Sequence, residues 1–172
     1  MFDFFKKKPQ QGSASPEQLP SAAYKMVVAV GGHRDTSLLI RDLKANCDVR
    51  PEALGIMSQR EFRLQTQRQD IEFVFMTGRD MGFPQAASYL DITGKAIRHF
   101  GLKWCEPADG AYYRLAALDQ PVGQDIGVGM DLVGGRLFSV YHSSANGLML
   151  QGMLIHNFRP ELVWMFRAAR NL

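Results

Sequence analysis

The chain has 172 residues, 46% of them hydrophobic and 22% charged, which suits one globular domain with its own core. Its 20 basic and 17 acidic residues leave a net charge of +3, too even a balance for a nucleic-acid binder, so no nucleic-acid partner is expected. No apolar run approaches the roughly 20 residues that cross a bilayer.

Residues 1–21 hold Pro9, Gly12, Pro16 and Pro20 among glutamines and serines. Such a stretch cannot bury enough apolar surface to offset its ordering entropy. It reads as a flexible N-terminal tail before a single globular domain over residues 22–172. Phe2, Phe4 and Phe5 beside Lys6, Lys7 and Lys8 would give its tip at most weak peripheral contact with an anionic membrane. A secretory leader has the reverse order, charges before apolar residues. The expected location is a bacterial-type cytoplasm.

Tyr24–Val30 is a nearly continuous apolar run rich in valine and predicts a buried strand. Gly31-Gly32 ends it. Asp35-Thr36-Ser37 offers N-caps to a helix whose Leu38, Leu39 and Leu43 form an apolar face and which should stop near Asn46. Val49-Arg50 is expected to be extended ahead of Pro51. Phe62, Leu64 and Thr66 then alternate with polar residues, as do Ile71, Phe73 and Phe75 with Glu72, Val74 and Met76. A turn centred on residues 68–69 would pair Phe62 with Phe75, Leu64 with Phe73 and Thr66 with Ile71 on a core face. Arg63, Val74 and Met76 would share the opposite face.

Gly82-Phe83-Pro84 predicts a second helix with Pro84 at its first position, Ala87, Leu90, Ile97 and Phe100 on one side, and Gly101 as its stop. Tyr112–Leu118 reads as a strand. Ile126–Val133 and Arg136–His142 read as a hairpin around Gly134-Gly135, and Leu148–Ile155 as a further strand. Asn157 would cap a last helix over Pro160–Arg170. Together these elements predict an α+β fold, a mostly antiparallel sheet of about six strands with three helices packed against it.

Four patterns bear on chemistry. The turn Gly31–Asp35 lies between a strand and a helix start, where backbone amides can face an anion; Gly32, His33, Arg34 and Thr36 are its candidate ligands. Its spacing matches neither GxGxxG nor the phosphate-loop pattern. Cys47 and Cys105 form no CxxC pair, so no metal is expected and both are read as free thiols in a reducing compartment. Either thiol would need His33, His99, His142 or His156 within reach to act as a nucleophile. The polar loop after His142 lacks the GxSxG elbow and reads as a turn.

The fourth pattern is the apolar non-core face of the predicted hairpin, Arg63, Val74 and Met76, with the methionine-rich stretch 148–155 adding apolar surface. The residues therefore point to a non-enzymatic protein-binding domain of immunity or adaptor type that acts on one unknown cognate protein, with no cofactor and with its oligomeric state open. The alternative is a small enzyme or anion- or nucleotide-binding domain that uses the Gly31–Asp35 turn with a nearby Cys or His.

Overall fold

Runs of apolar residues become strands, and the longest continuous ones take the centre of the sheet. The computed structural model describes residues 18–169. The elements in chain order are β1 (Tyr24–Val30), α1 (Thr36–Asn46), β2 (Asp48–Val49), α2 (Pro51–Met57), β3 (Gln69–Thr77), β4 (Ala87–Ser88) and α3 (Tyr89–Arg98). They continue as α4 (Asp109–Ala116), β5 (Asp125–Val128), β6 (Arg136–Ser143), β7 (Gly147–Leu154), β8 (Asn157–Phe158) and β9 (Val163–Arg167). A seven-stranded sheet runs in the order β1-β3-β9-β5-β6-β7-β2, and β4 pairs with β8 in a small second sheet. Every ladder is antiparallel except β5 with β9 and β2 with β7. The fold is α+β with a mostly antiparallel sheet, as expected, but with seven strands in the main sheet and four helices among the described residues.

Both faces of the central strands are covered. One face presents Phe73, Phe75, Met165, Val128, Phe138 and Leu150, and α4 lies over it. The Phe75 ring sits 5.2 Å from that of Tyr113, and a Cβ on Gly110 would stand 3.0 Å from Phe138. Asp109, wholly buried at the start of α4, receives two hydrogen bonds from the Arg167 guanidinium of β9, at 2.6 and 2.8 Å. Burial pushes the Asp109 carboxyl up, and Arg167 opposes that shift. The other face presents Val74, Met76, Trp164 and Phe166. Trp164 packs on Tyr89 of α3 at 5.6 Å and edge-on to Phe158 at 5.0 Å. Gly127 of β5 and Gly129 just after it leave room for these rings: a Cβ on Gly127 would lie 2.8 Å from Trp164, and one on Gly129 would collide with Phe166.

Several expectations need correcting. Residues 62–67 are not a strand; they form a loop in which Phe62 is buried edge-on to Phe138, 6.2 Å away, and Leu64 is partly buried. β3 pairs instead with β1 and β9, so the predicted hairpin register does not exist. The reason lies in Phe73-Val74-Phe75-Met76, a continuous apolar run. Such a run suits a strand buried on both faces better than a half-exposed hairpin arm. Val74 is 0% exposed and Met76 2%, so neither belongs to an open surface; Arg63 is exposed on the loop before β3.

Tyr112–Leu118 is not a strand but lies largely in α4, whose tyrosines face the sheet from a helix. The predicted last helix is the strand β9, because Val163-Trp164-Met165-Phe166 is again apolar without a break. The second predicted helix begins later, at Tyr89 with Ser88 as its cap, and buries Tyr89, Ile92 and Ala96 while Leu90 is exposed. α2, with Pro51 at its start, was not anticipated. The Gly134-Gly135 turn does form, with Val133 bridged to Arg136. β5 leaves β6 after Gly127, however, and residues 128–130 run beside β9 and Cys105. The expected tip Phe2–Lys8 lies outside the described residues, and Leu19, within the expected tail, is partly buried against the core.

Candidate interaction surface

Among the described residues β1 has one strand neighbour, β3. Its register with β3 is unbroken from Tyr24 opposite Phe75 to Val30 opposite Gln69. In an antiparallel ladder the N–H and C=O of one residue point to the same side, and successive residues point to opposite sides. The Ala168 amide donates to the Glu72 carbonyl at 2.9 Å and the Gly78 amide to the Leu162 carbonyl at 3.4 Å, both between β3 and the β9 segment. The even-numbered residues of β3 therefore spend their main-chain groups on β9, and Gln69, Ile71, Phe73 and Phe75 spend theirs on β1. Their partners on β1 are Tyr24, Met26, Val28 and Val30. Lys25, Val27 and Ala29 are left directing N–H and C=O away from the sheet, with no strand beside them among the described residues.

Proteins usually blunt such an edge with proline, a bulge, charge or a cover. β1 has no proline and no bulge. Its one charge, Lys25, is tied to Glu72 at 3.1 Å. Val27 is 60% exposed, a high value for a valine in a regular strand. Tyr24, 43% exposed, stacks on Phe75 at 4.7 Å, and partial burial pushes its hydroxyl pKa up. One strand in from this edge, on β3 and the end of β9, lies a groove of about 510 Å3 lined by Asp70, Glu72, Lys103, Arg167 and Ala168. A smaller depression of about 190 Å3 adjoins it between Leu19, Lys25, Phe100 and Leu102.

The Gly31–Asp35 turn is built differently from a vacant anion cradle. Gly31 and Gly32 have φ of +100° and +98°, and a side chain on Gly31 would strike the Gln65 and Gln67 carbonyls. The Gly32 amide donates to the Gln65 carbonyl at 3.2 Å, and the Asp35 carboxylate caps α1 by accepting from the Leu38 amide at 3.0 Å. A protein carbonyl and a protein carboxylate thus already hold amides at this turn. Arg34 is exposed, and Thr36 is partly buried. His33 Nε2 lies 3.2 Å from Asp42 Oδ2, its ring stands 5.5 Å from that of Tyr112, and its Nδ1 is buried without a hydrogen-bond partner. The Arg41 guanidinium, with His33, holds the Asp42 carboxyl below its usual range.

The thiols are also placed by packing. Cys105 is 3% exposed, its Sγ donates to the Met165 carbonyl at 3.4 Å, and burial pushes its pKa well above the usual value. Cys47 is partly buried at the end of α1, and burial pushes it up to about 11. Both are free. His142 Nδ1 lies 2.5 Å from the Gln120 carbonyl oxygen, and the His156 ring packs tilted against Phe158 at 4.3 Å. A thiol that burial keeps protonated is a poor nucleophile.

Lys25, Val27 and Ala29 escaped the sequence reading because a valine-rich run has the same composition at an edge as at a centre. Lys25, a charge inside an otherwise apolar strand, is the one residue that marked the edge. Comparison with protein-family models, curated proteins and solved structures finds no match for this chain.

Proposed function

We propose that this chain is a non-catalytic, adaptor-type protein-binding domain, and that it holds its partner by accepting an extended segment as an added strand on β1. The observation that carries this reading is the outward row of main-chain groups at Lys25, Val27 and Ala29, on a regular strand whose middle residue is 60% exposed. In strand addition the main-chain ladder supplies affinity and alternate side-chain positions supply specificity. Lys25 of β1 and, one strand further in, Asp70 and Glu72 of β3 lie on the same sheet face as Val27, so both signs of charge border the side chains that project from the added strand on that face.

The test uses Val27→Pro and Val27→Glu in the full chain. Proline removes an outward donor, so each variant should keep the fold yet lose most of its captured partner, and the amides of Lys25, Val27 and Ala29 should exchange more slowly in the wild-type complex than in the free chain. Folded variants that capture the partner as well as the wild type does would overturn the reading. The Gly31–Asp35 turn remains the lesser reading, because the Gln65 carbonyl and the Asp35 carboxylate already engage its amides.

A further inference from the structure

We infer that the strand that β1 receives is β1 of a second copy of this chain, paired antiparallel about a two-fold axis through Val27. The inference rests on the strand-addition reading above and names its partner.

The register follows from symmetry. A residue whose main-chain groups point outward must face another outward residue, because only then do the two exchange hydrogen bonds. In a self-paired antiparallel strand the two residue numbers therefore sum to an even value, and the axis passes through a residue. Of the central positions, only Val27 lets all seven residues of β1 overlap. This register sets Val27 against Val27 of the second copy, and Lys25 against its Ala29. All three outward residues are then satisfied, twice over, by one operation. The two-fold dimer is also the commonest closed assembly, because one self-complementary patch completes it.

Side chains agree with the ladder on both faces. On one face, Lys25 meets the small Ala29 of the second copy, and the residue across the next ladder is Asp70, which pairs with Ala29 in β3. Two strand spacings, roughly 9.6 Å, separate the Lys25 and Asp70 backbones. A flexible lysine stem can lie over an alanine and bring its ammonium to that carboxylate. Lys25 would then exchange its Glu72 contact for Asp70 of the second copy or share its ammonium between the two carboxylates, and the same arrangement recurs by symmetry. On the other face, Tyr24 meets Val30 and Met26 meets Val28, apolar against apolar. Those are the closer, non-hydrogen-bonded positions of the ladder. Lys25, which would guard a solitary edge, faces a carboxylate of the second copy in this register, and the full overlap of β1 is what selects it.

The experiment places opposite charges where residue 27 meets itself. Sedimentation of the full chain across a wide concentration range should show the mass doubling. Labelled V27E should sediment as a monomer, since two glutamates would face each other with Glu72 on either side, and should stay folded at low concentration with a melting temperature lowered by a few degrees at most, because Glu72 lies opposite residue 27 in the same chain. Unlabelled V27K added to labelled V27E should restore the doubled mass. In the wild type, exchange of the Lys25, Val27 and Ala29 amides should slow as concentration rises, a readout that needs no variant. A dimer that V27E leaves intact, or a V27E monomer that V27K does not rescue, would overturn the self-pairing. A wild-type monomer at every concentration, with these amides exchanging fast, would overturn the second-copy partner but leave the edge open to another protein. A monomer with these amides already protected would show that another segment of the same chain fills the edge, and would end both readings.

Discussion

β1 and β3 lie side by side, have similar apolar content and share one unbroken ladder, yet they meet different environments. In β3, Phe73, Val74 and Phe75 are all 0% exposed, so alternate residues are buried against helices on one face and against α3 and the small sheet on the other. In β1, Val28 and Val30 are buried while Lys25 and Val27 face water. The difference is not in the residues themselves but in the number of strands beside them. A strand with two neighbours is held in place and closed to partners; a strand with one is equally regular but has half of its main-chain polarity to offer.

The sharpest way to break this comparison is to place one charge in each strand. Val74→Asp puts a carboxylate at a position with no exposure and should unfold the protein, or cost several kcal/mol, as an uncompensated buried charge does. A folded, stable Val74→Asp protein in a urea titration would mean that the second face of β3 is open. A smaller but still large effect is expected from cavity formation. Phe73→Ala should cost roughly 3–5 kcal/mol, measured as a drop in denaturant midpoint at constant slope. At the other extreme, Val27→Thr changes a mostly exposed side chain in a strand-compatible way and should stay within about 0.5 kcal/mol in the dilute protein. A loss comparable to that of Phe73→Ala would show that Val27 is covered in solution even when the chain is dilute.

What was legible in the sequence was local. Asp35 caps α1, and the helix ends at Asn46, because caps act within one turn. The Gly134-Gly135 turn formed because both residues need positive φ, at +59° and +74°. The misreadings share a cause. Leu162, Phe166 and Ala169 fit a helical stripe, and Phe62, Leu64 and Thr66 fit a strand, but both patterns are short enough to satisfy either period. What decided between them was distant: the slots at Gly127 and Gly129 that admit Trp164 and Phe166, and the demand of β3 for a neighbour on each side. The candidate surface was illegible for the same reason. No property of Val27 reveals that the sheet ends beside it; that depends on which of the later strands joins β3 on its other side.

The place of β9 carries a consequence for how the molecule is made. The last strand of the described chain occupies the third position of the sheet, between β3 and β5. Until residues 163–167 leave the ribosome, the main sheet can exist only as two parts, β1-β3 and β5-β6-β7-β2, each ending in an apolar border meant for β9. The contacts that join them span much of the chain's length, and such long-range closure is slow and leaves intermediates prone to aggregation. Closure of the sheet therefore waits on residues 163–167: a nascent chain that has not yet exposed them carries both borders open, and a single five-residue insertion closes the two at once.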